Sequence, residues 1–325
     1  MPTAEHDAVL LDLDGVVYAG AAAVGGAPEA LARLRQEGVP LRFVTNNASR
    51  TPEQVADKLV SVGVRAEAAE VLGSPRAAAE LLVDRVGLVA GSTVAVVGGP
   101  GLLTAVTEAG LVAVPVLEVD SRPAAVVQGF SPDVGWRHLA AATRLVREGV
   151  TWVASNLDLT IPTADGIAPG NGLLVHAVAE ASGRRPDFVA GKPEPFLFLS
   201  AARSASSTRP LVVGDRLDTD IAGGRAAGFV TALVLTGVHG LDDALDAEPS
   251  HRPDRVLLTL ADLWRSPTSA EAEEATGRLH EAWRALDALG SPGPSEHVAE
   301  GTQHAAERTA LREEWSRRLS PPPVA

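Results

Sequence analysis

Short apolar runs alternate with segments of helical periodicity along most of this 325-residue chain. Such alternation is typical of βαβ units, and it predicts a parallel sheet that is covered by helices. The chain has more predicted strands than one compact, mononucleotide-type α/β unit needs. We therefore predict an α/β fold with two domains. The predicted strands are residues 7–12, 40–45, 93–98, 124–129, 150–155, 210–214 and 231–235. The predicted helices are residues 28–38, 52–63, 101–110, 136–149, 171–182, 194–204 and 219–228.

Composition and charge narrow the class of protein. Hydrophobic residues make up 46% of the chain but aromatic residues only 4%, which favours a core of Ala, Val and Leu in a helix-covered sheet. The formal net charge of −13 repels nucleic-acid phosphates and anionic lipid headgroups, so we expect neither nucleic acid nor membrane as a partner. The chain contains no cysteine, which excludes disulfides, thiolate metal sites and cysteine nucleophiles.

The N-terminal stretch MPTAEHDAVLLDLDG has an acidic start and too short an apolar run for a signal peptide. No later run reaches the ~18 apolar residues that a membrane-spanning helix needs. We therefore expect a soluble, cytoplasmic protein.

Two aspartates follow the first predicted strand in the stretch DLDGVVYAG, which begins at residue 12. Side chains two apart in a strand point the same way, so Asp12 and Asp14 face the cleft beyond its carboxyl end, where open α/β sheets bind ligands. Carboxylates held close repel each other unless a cation lies between them or one is protonated. The pair indicates a divalent metal site or an acid–base couple, and aspartates that only form a turn are the alternative. Val16 and Val17 exclude a calcium loop, because they occupy a ligand and a glycine position.

Two further stretches carry polar candidate residues, and the first of them follows a predicted strand. In VTNNASR (44–50), Thr45 and Asn46 offer hydrogen bonds suited to a phosphoryl or carboxylate oxygen, although Asn-Asn is also an ordinary turn. In VAGKPEP (189–195), Lys192 lies between a permissive glycine and a rigid proline, which suits a fixed positive charge. A single lysine is otherwise more often a solvated surface residue.

A second acidic strand end occurs in VVGDRLDTDIAGG (212–224), with Asp215, Asp218 and Asp220. Asp220 begins the next predicted helix and could act as its N-cap. The four polar stretches are all strand ends of a parallel sheet, and together they offer carboxylates, amides, a hydroxyl and a lysine. Such an oxygen-rich set, without His or Cys, selects Mg²⁺ over zinc or copper.

Two other features are interpreted as structural. The glycines of VAVVGGPGLLTAV (94–106) suggest a dinucleotide fingerprint, but Thr104 replaces its third glycine, so we interpret the stretch as a tight turn. His138, His176 and His239 lie apart without metal-ligand spacing, and we interpret them as surface or packing residues.

The order D-x-D-G, T-N-N, G-K-P and G-D-x-x-x-x-D resembles the haloacid dehalogenase-like phosphatases, in particular class IIA, the NagD type. The likeness spans residues 7–240 and includes NLDLTIPTADGIAPGNGLL (156–174), which is similar to the cap segment of that class. It implies a Rossmann-like parallel-sheet hydrolase core with an inserted α/β cap domain. The implied core is residues 1–79 and 188–265, and the implied cap is residues 80–187.

The resemblance also implies roles for individual residues. Asp12 would attack phosphorus and form an aspartyl-phosphate, while Asp14 would act as general acid and then as general base. Lys192 would neutralise charge in the transition state. Phosphate or substrate contacts are implied for Thr45, Asn46 and Asn47, and on the cap side for Asn156 and Asp158. The implied Mg²⁺ ligands are Asp12, Asp14 through its backbone carbonyl, Asp215, and Asp220 directly or through water.

The implied reaction is hydrolysis of a small phosphorylated metabolite. Glycerol 3-phosphate, phosphoglycolate, pyridoxal phosphate, nucleoside monophosphates and p-nitrophenyl phosphate are substrates of such phosphatases, and a cap poor in aromatics favours a polyol phosphate over a stacked ring. Asp14 argues against dehalogenation. A halide leaves without being protonated, whereas the alkoxide released from an oxygen ester needs a proton, which Asp14 would supply. A mutase and an inactive scaffold are the alternatives, but the intact Asp12, Asp14, Lys192 and Asp215 argue against a scaffold.

Residues 266–325 lie outside the resemblance, and we predict a helical C-terminal extension that ends in the disordered tail SPPPVA. Two apolar stripes at helical spacing need partner surfaces, either the chain's own core or another copy. A homo-oligomer formed through the cap or the C-terminal helices is therefore a further prediction. The stripes are Leu279, Trp283, Leu286 and Leu289, and Leu311, Trp315 and Leu319.

Overall fold

The computed structural model of the protein describes residues 5–48, 50–163, 166–263, 269–288, 306, 309–314 and 316. The strands are β1 (Ala8–Leu11), β2 (Tyr18–Ala19), β3 (Ala22–Ala23), β4 (Leu41–Thr45), β5 (Val71–Gly73), β6 (Thr93–Val97), β7 (Val112–Pro115), β8 (Ala125–Gln128), β9 (Thr151–Ala154), β10 (Thr160–Thr163), β11 (Gly166–Pro169), β12 (Phe188–Val189), β13 (Pro210–Gly214), β14 (Val230–Val234) and β15 (Arg255–Leu257).

The α-helices are α1 (Ala27–Gln36), α2 (Pro52–Ser61), α3 (Ser74–Asp84), α4 (Pro100–Glu108), α5 (Trp136–Arg147), α6 (Asn171–Ser182), α7 (Phe196–Ser204), α8 (Ala222–Ala226), α9 (Leu241–Leu245) and α10 (Ser269–Ala288). Single 3₁₀ turns occur at Ala68–Glu70, Val116–Glu118, Pro249–His251 and Leu260–Leu263, and a π-helical turn at Leu217–Ile221.

The predicted α/β fold class is confirmed, and each predicted strand corresponds to an observed one. Several predicted helices were too long because their ends included the glycine that terminates them. Gly38 and Gly63 follow α1 and α2 with φ of 73° and 85°, as a C-terminal glycine does. The helix predicted at 219–228 instead begins as the π-helical turn and continues as α8.

The sequence patterns missed several short elements. The helix α3 escaped prediction because its alanine run gives no clear apolar period. The proline-containing strands β10 and β11 form an antiparallel hairpin that an apolar-run pattern does not detect. Four other strands, β5, β7, β12 and β15, are only two to four residues long.

The chain divides into two compact units, of which the first comprises Met1–Val39 and Arg209–Ala325. Its parallel strands lie in the order β15-β14-β13-β1. The register pairs Leu11 with Val213, so β1 and β13 end at the same level. All four residues of β1 are buried, as expected for an interior parallel strand covered on both faces. This register brings the two acidic strand ends of the sequence to one edge of the sheet.

The second unit is Pro40–Thr208. It contains the parallel pair β4–β5 and a five-stranded parallel sheet in the order β12-β9-β8-β6-β7. A core around the fully buried Trp152 joins that sheet to α5 and α6 through Leu145, Val146, Val175 and Val178. The five-stranded sheet runs from Thr93 to Val189. The predicted core and cap boundaries, at residues 79–80 and 187–188, stay a prediction.

The helix α10 packs on the first unit's own core. Its residues Leu279, Ala282, Trp283 and Leu286 are buried in one cluster with Leu217, Ile221, Leu233, Ala244, Leu245 and Val256. Leu311 packs partly against the same cluster. The other predicted stripe residues, Leu289, Trp315 and Leu319, and the predicted tail lie outside the described residues. The apolar stripe of α10 is therefore covered by the chain itself.

Within the described part of the chain, no helix combines the length and the apolar character required to cross a lipid bilayer.

Candidate active site

Three carboxylates meet at the carboxyl edge of the first unit's sheet. Asp12 directly follows β1, and its backbone N–H donates to the carbonyl of Val213 at 2.9 Å. Asp215 directly follows the neighbouring strand β13. Each of Asp12, Asp215 and Asp220 contributes one carboxylate oxygen to this cluster, and the three oxygens lie within 4.8 Å of one another. The parallel register of β1 and β13 thus explains why residues 203 positions apart in sequence share a site.

Asp220 reaches this cluster from the π-helical turn Leu217–Ile221. Its Oδ2 accepts a hydrogen bond from the backbone N–H of Arg216 at 3.1 Å. A Cβ at Gly214 would overlap the Cβ and carboxylate of Asp220, so the close approach requires glycine at the end of β13. Asp220 therefore lies against the strand end, within a π-helical turn rather than ahead of an α-helix.

The cluster has the character of a Mg²⁺ site. Asp215 is 2% exposed and Asp220 is 1% exposed, so two carboxylates with little access to water lie beside a third. Their mutual repulsion and desolvation strongly favour a bound cation or a proton. An all-oxygen donor set fits a hard divalent cation such as Mg²⁺, which typically keeps several waters. Asp12, Asp215 and Asp220 thus have the chemistry to hold this ion.

Asp14 lies in the turn that follows β1, and its side chain is exposed. The turn reverses at Gly15, whose φ of 80° is left-handed and whose N–H donates to the carbonyl of Tyr18 at 2.8 Å. The backbone reversal leaves the carboxylate of Asp14 accessible to a substrate. Its predicted part in metal binding uses the backbone carbonyl, and this stays a prediction.

Asp218, the third acid of its stretch, is engaged by an arginine. Its two carboxylate oxygens accept from the Nε and Nη2 of Arg216 at 3.1 and 2.7 Å. Burial raises the pKa of Asp218, but the hydrogen bond and charge of Arg216 outweigh it, and the pKa lies below its ordinary value. Asp218 therefore stays ionised as the partner of Arg216 and lies outside the three-carboxylate cluster.

In the second unit, Lys192 is a buried cation at 4% exposure. Its Nζ donates to the carbonyl of Val44 at 3.2 Å and lies 6.0 Å from the ring centroid of Phe198. Its backbone N–H donates to Oδ1 of Asn46 at 2.8 Å. These contacts hold both the main chain and the charged end of the lysine, so the predicted fixed charge has a structural basis.

Asn46 links several predicted residues. Its Nδ2 donates to the Lys192 carbonyl and to Oδ1 of Asp158, each at 3.0 Å. The backbone carbonyl of Asn46 accepts from Nδ2 of Asn156 at 3.0 Å, and the Oδ1 of Asn156 accepts from the backbone N–H of Asp158 at 3.2 Å. The structure thus brings Asn46, Asn156, Asp158 and Lys192 together within the second unit.

The adjacent residues of the T-N-N motif differ in exposure. Thr45 is buried, and its Oγ1 accepts from the backbone N–H of Asn47 at 3.1 Å, whereas the side chain of Asn47 is exposed. The hydroxyl of Thr45 thus shapes the turn after β4 by accepting the backbone N–H of Asn47.

Sequence reasoning missed two buried residues of this network. Ser74, at the first position of α3, donates from Oγ to the carbonyl of Asn46 at 2.8 Å. Asn171, at the first position of α6, donates from Nδ2 to the carbonyl of Asn156 at 2.7 Å. The hydrogen bonds of this buried network favour a single rigid arrangement, and among the described residues Oδ1 of Asn171 has no hydrogen-bond partner. Asn171 lies in the quoted P-G-N-G segment, so that segment carried a usable signal, whereas Ser74 had none.

Comparisons with known proteins identify the family. The model of the haloacid dehalogenase-like hydrolases matches residues 9–112, and a HAD-hydrolase-like model matches residues 189–263. The chain is 45% identical over 249 residues to D-glycerol 3-phosphate phosphatase of Mycobacterium tuberculosis, a match that covers 77% of this chain and 68% of that protein.

Solved structures agree with this result. The crystal structure of glycerol phosphate phosphatase Rv1692 from Mycobacterium tuberculosis in complex with magnesium superposes with a TM-score of 0.75 at 44% identity, covering 81% of this chain and 77% of that one. NagD from Escherichia coli K-12 superposes with a TM-score of 0.71 at 31% identity, and the match covers 78% of this chain and 97% of that one. With the acidic edge of its parallel sheet, the chain therefore belongs to the haloacid dehalogenase-like hydrolases and is a phosphatase of their class IIA, NagD-type branch.

Proposed function

We propose that this phosphatase hydrolyses the phosphomonoester of a small polyol, with glycerol 3-phosphate as its preferred substrate, through an aspartyl-phosphate intermediate. The observation that carries the proposal is the cluster of Asp12, Asp215 and Asp220 at one strand edge. The cluster combines a strand-end nucleophile with ligands for a divalent cation, the two components that phosphoryl transfer to a carboxylate requires.

In the first step, an Oδ of Asp12 attacks phosphorus, the Asp12–phosphorus bond forms, and the ester P–O bond breaks. Asp14 gives its proton to the departing alkoxide, which leaves as the free alcohol. In the second step, Asp14 takes a proton from water, whose oxygen attacks phosphorus and releases inorganic phosphate and the Asp12 carboxylate. The exposure of Asp14 supports this shuttle, because the group must reach both the alcohol and water.

The remaining roles follow from the family likeness and from the contacts within the second unit. Thr45, Asn46 and Asn47 bind phosphoryl oxygens, and Lys192 neutralises the charge that these oxygens carry in the transition state. Asn156 and Asp158 contact the substrate from the cap side. The hydrogen bonds of the Asn46 side chain to Lys192 support a second role for Asn46, the orientation of that lysine.

Asp12, Asp215, Asp220 and the backbone carbonyl of Asp14 are the residues that would hold Mg²⁺. When bound, the ion neutralises negative charge on the carboxylates and on the phosphoryl oxygens. A carboxylate nucleophile would otherwise repel the phosphate dianion, so the chain's own acids can approach it only with this charge compensated.

Two observations favour a polyol phosphate. The chain is poor in aromatic residues, at 4%, so it has few rings on which a base or a pyridine ring could stack. A relative with 45% identity is a D-glycerol 3-phosphate phosphatase. Phosphoglycolate, pyridoxal phosphate and nucleoside monophosphates are the competing substrates.

The proposal is tested by measuring phosphate release from D- and L-glycerol 3-phosphate, phosphoglycolate, pyridoxal phosphate and AMP. With Mg²⁺ present, we expect the highest kcat/KM with a glycerol phosphate, and EDTA should abolish release from every substrate. Added Mg²⁺ in excess of EDTA is the control and should restore activity. A higher kcat/KM for AMP or pyridoxal phosphate would refute the polyol assignment, and substrate loss without phosphate release would indicate a phosphotransferase.

Three broader parts of the proposal concern organisation. Residues 80–187 act as an inserted cap, a division supported by the separate five-stranded sheet, four of whose strands, β6 to β9, lie within this range. The protein acts in the cytoplasm, which fractionation of cells would test. It self-associates through the cap or through C-terminal surface other than the apolar stripe of α10, which is already buried in the chain's own core. A molar mass near the 33.5 kDa of one chain in light scattering would contradict this.

A further inference from the structure

A short loop after β14, residues 236–239, holds the acidic edge of the first unit. The backbone N–H of Val238 donates to Oδ2 of Asp215 at 2.8 Å, and that of His239 donates to the Asp215 carbonyl at 3.1 Å. The hydroxyl of Thr236 donates to the carbonyl of Gly15 at 2.7 Å. A Cβ at Gly237 would overlap the carboxylate of Asp215, so the loop lies directly against this side chain. The loop therefore fixes both the backbone and the carboxylate of Asp215.

His239 extends this support to the neighbouring turn. Its Nδ1 accepts from the backbone N–H of Leu217 at 2.9 Å, at the start of the π-helical turn that carries Asp220. The side chain thus satisfies a backbone donor near the N-terminus of the turn, where helical N–H groups lack intrahelical partners. One residue consequently links the segments of both buried acids.

The helix α10 contacts the short helix α9, which follows this loop. The short helix α9 begins at Leu241, two residues after His239. The indole Nε1 of Trp283 in α10 donates to the carbonyl of Ala244 in α9 at 3.0 Å. A five-residue helix has little stability of its own, so its position depends on such tertiary contacts.

Packing gives a second connection between α10 and the metal-binding edge. Leu279, Trp283 and Leu286 share a buried cluster with Leu217 and Ile221, the two ends of the π-helical turn.

Charged groups secure both helices. Arg252 lies 5.3 Å from the Trp283 ring and donates from Nη2 to Asp287 at 2.8 Å. Asp246, which directly follows α9, pairs with Arg312 from the later part of the extension.

We propose that α10 is a positioning element of the Mg²⁺ site, acting on Asp215 and Asp220 through α9 and His239. The inference rests on the proposed Mg²⁺ site and assigns a catalytic purpose to the C-terminal extension. Trp283 and His239 are its positioning residues.

Two arguments favour positioning over packing alone. Mg²⁺ demands near-octahedral geometry at short distances, so a small displacement of one carboxylate lowers affinity. The helix α10 also lies beyond residue 263, where the match to the family model ends. This support is therefore added to the matched hydrolase core by the chain's own extension.

The test measures Mg²⁺ affinity by titration calorimetry, and Mn²⁺ binding by electron paramagnetic resonance, well below the melting temperature of every variant. Trp283→Phe keeps an aromatic ring, although a smaller one, and removes the Nε1 donor, and we expect about threefold weaker binding. His239→Ala should weaken binding about tenfold, the lower end of the range for partners that orient metal ligands. His239→Asn offers a carbonyl oxygen in place of Nδ1 and should restore affinity to within about twofold of the parent.

Trp152→Phe is the matched control. Trp152 is also a buried tryptophan, in the second unit, and its Nε1 has no hydrogen-bond partner among the described residues. Its replacement should leave Mg²⁺ affinity unchanged. If Trp283→Phe and His239→Ala lower the melting temperature but bind Mg²⁺ like the parent, the positioning role is refuted. Asp215→Asn tests the underlying site separately, because unchanged affinity in that variant would refute the Mg²⁺ site itself.

Discussion

Asp12→Asn is expected to lower kcat by about four orders of magnitude, because an amide oxygen is a poor nucleophile for phosphorus. Each tenfold loss corresponds to about 1.4 kcal/mol of barrier, so the change removes about 5 to 6 kcal/mol of transition-state stabilisation. Steady-state phosphate release from glycerol 3-phosphate measures the effect. Acid quenching with substrate radiolabelled in its phosphoryl group should trap labelled aspartyl-phosphate on the parent protein and no label on the variant.

Stability measurements separate chemistry from folding in this variant. Without metal, Asp12→Asn removes one of three mutually repelling carboxylates, so its melting temperature in EDTA should equal or exceed that of the parent. Asp57→Asn, at an exposed position of α2, makes the same chemical change away from the cluster and should retain full activity. Activity of Asp12→Asn within tenfold of the parent would exclude Asp12 as the nucleophile.

Lys192→Met is expected to lower kcat by about a hundredfold to a thousandfold, the usual effect of losing one preorganised group that stabilises transition-state charge. Methionine retains much of the apolar stem in this buried position, which is 4% exposed. The variant should therefore fold normally and bind Mg²⁺ with unchanged affinity. Lys192→Arg should not rescue activity, because a larger planar group would have to enter a buried position where Nζ lies 3.2 Å from the Val44 carbonyl oxygen and 6.0 Å from the Phe198 ring centroid.

Asn46→Ala provides a comparison that keeps the charge of the lysine but removes both its orientation by Asn46 and the proposed contact of Asn46 with the phosphoryl group. It leaves the ammonium in place but removes the side-chain hydrogen bonds to the Lys192 backbone. We expect a smaller loss in kcat, about tenfold to a hundredfold, as is typical when a catalytic group is displaced. A loss in Lys192→Met no greater than that in Asn46→Ala would contradict a direct electrostatic role for the lysine.

The alternation of apolar runs was sufficient to predict the strands that carry the site. β1 and β13 are continuous buried runs that end in acids, and this local pattern depends little on the rest of the chain. Most motif residues could be predicted for the same reason, because they lie directly after a predicted strand, whereas Lys192 follows the unpredicted β12 and was recognised from its glycine and proline neighbours. Short elements such as β12 and β15 could not, since two or three residues carry no measurable period.

The partners of individual side chains could not be predicted from the sequence. Asn46 matched a phosphate-binding motif, but its amide contacts Lys192 and Asp158, residues that are more than 100 positions away. His239 had no metal-ligand spacing, and we interpreted it as a surface or packing residue. Its contact with Leu217 arises because two loops follow adjacent strands, β13 and β14.

The sequence by itself determined the α/β class, the order of the motifs and hence the reaction type, because these depend on residues that lie close together in the chain. Tertiary structure decided which surface the C-terminal stripe covers, and it placed Leu279 and Trp283 in one core with the turn that carries Asp220. An apolar stripe specifies only that it must be buried, and its partner is set by the complementary surface that the remainder of the fold leaves open.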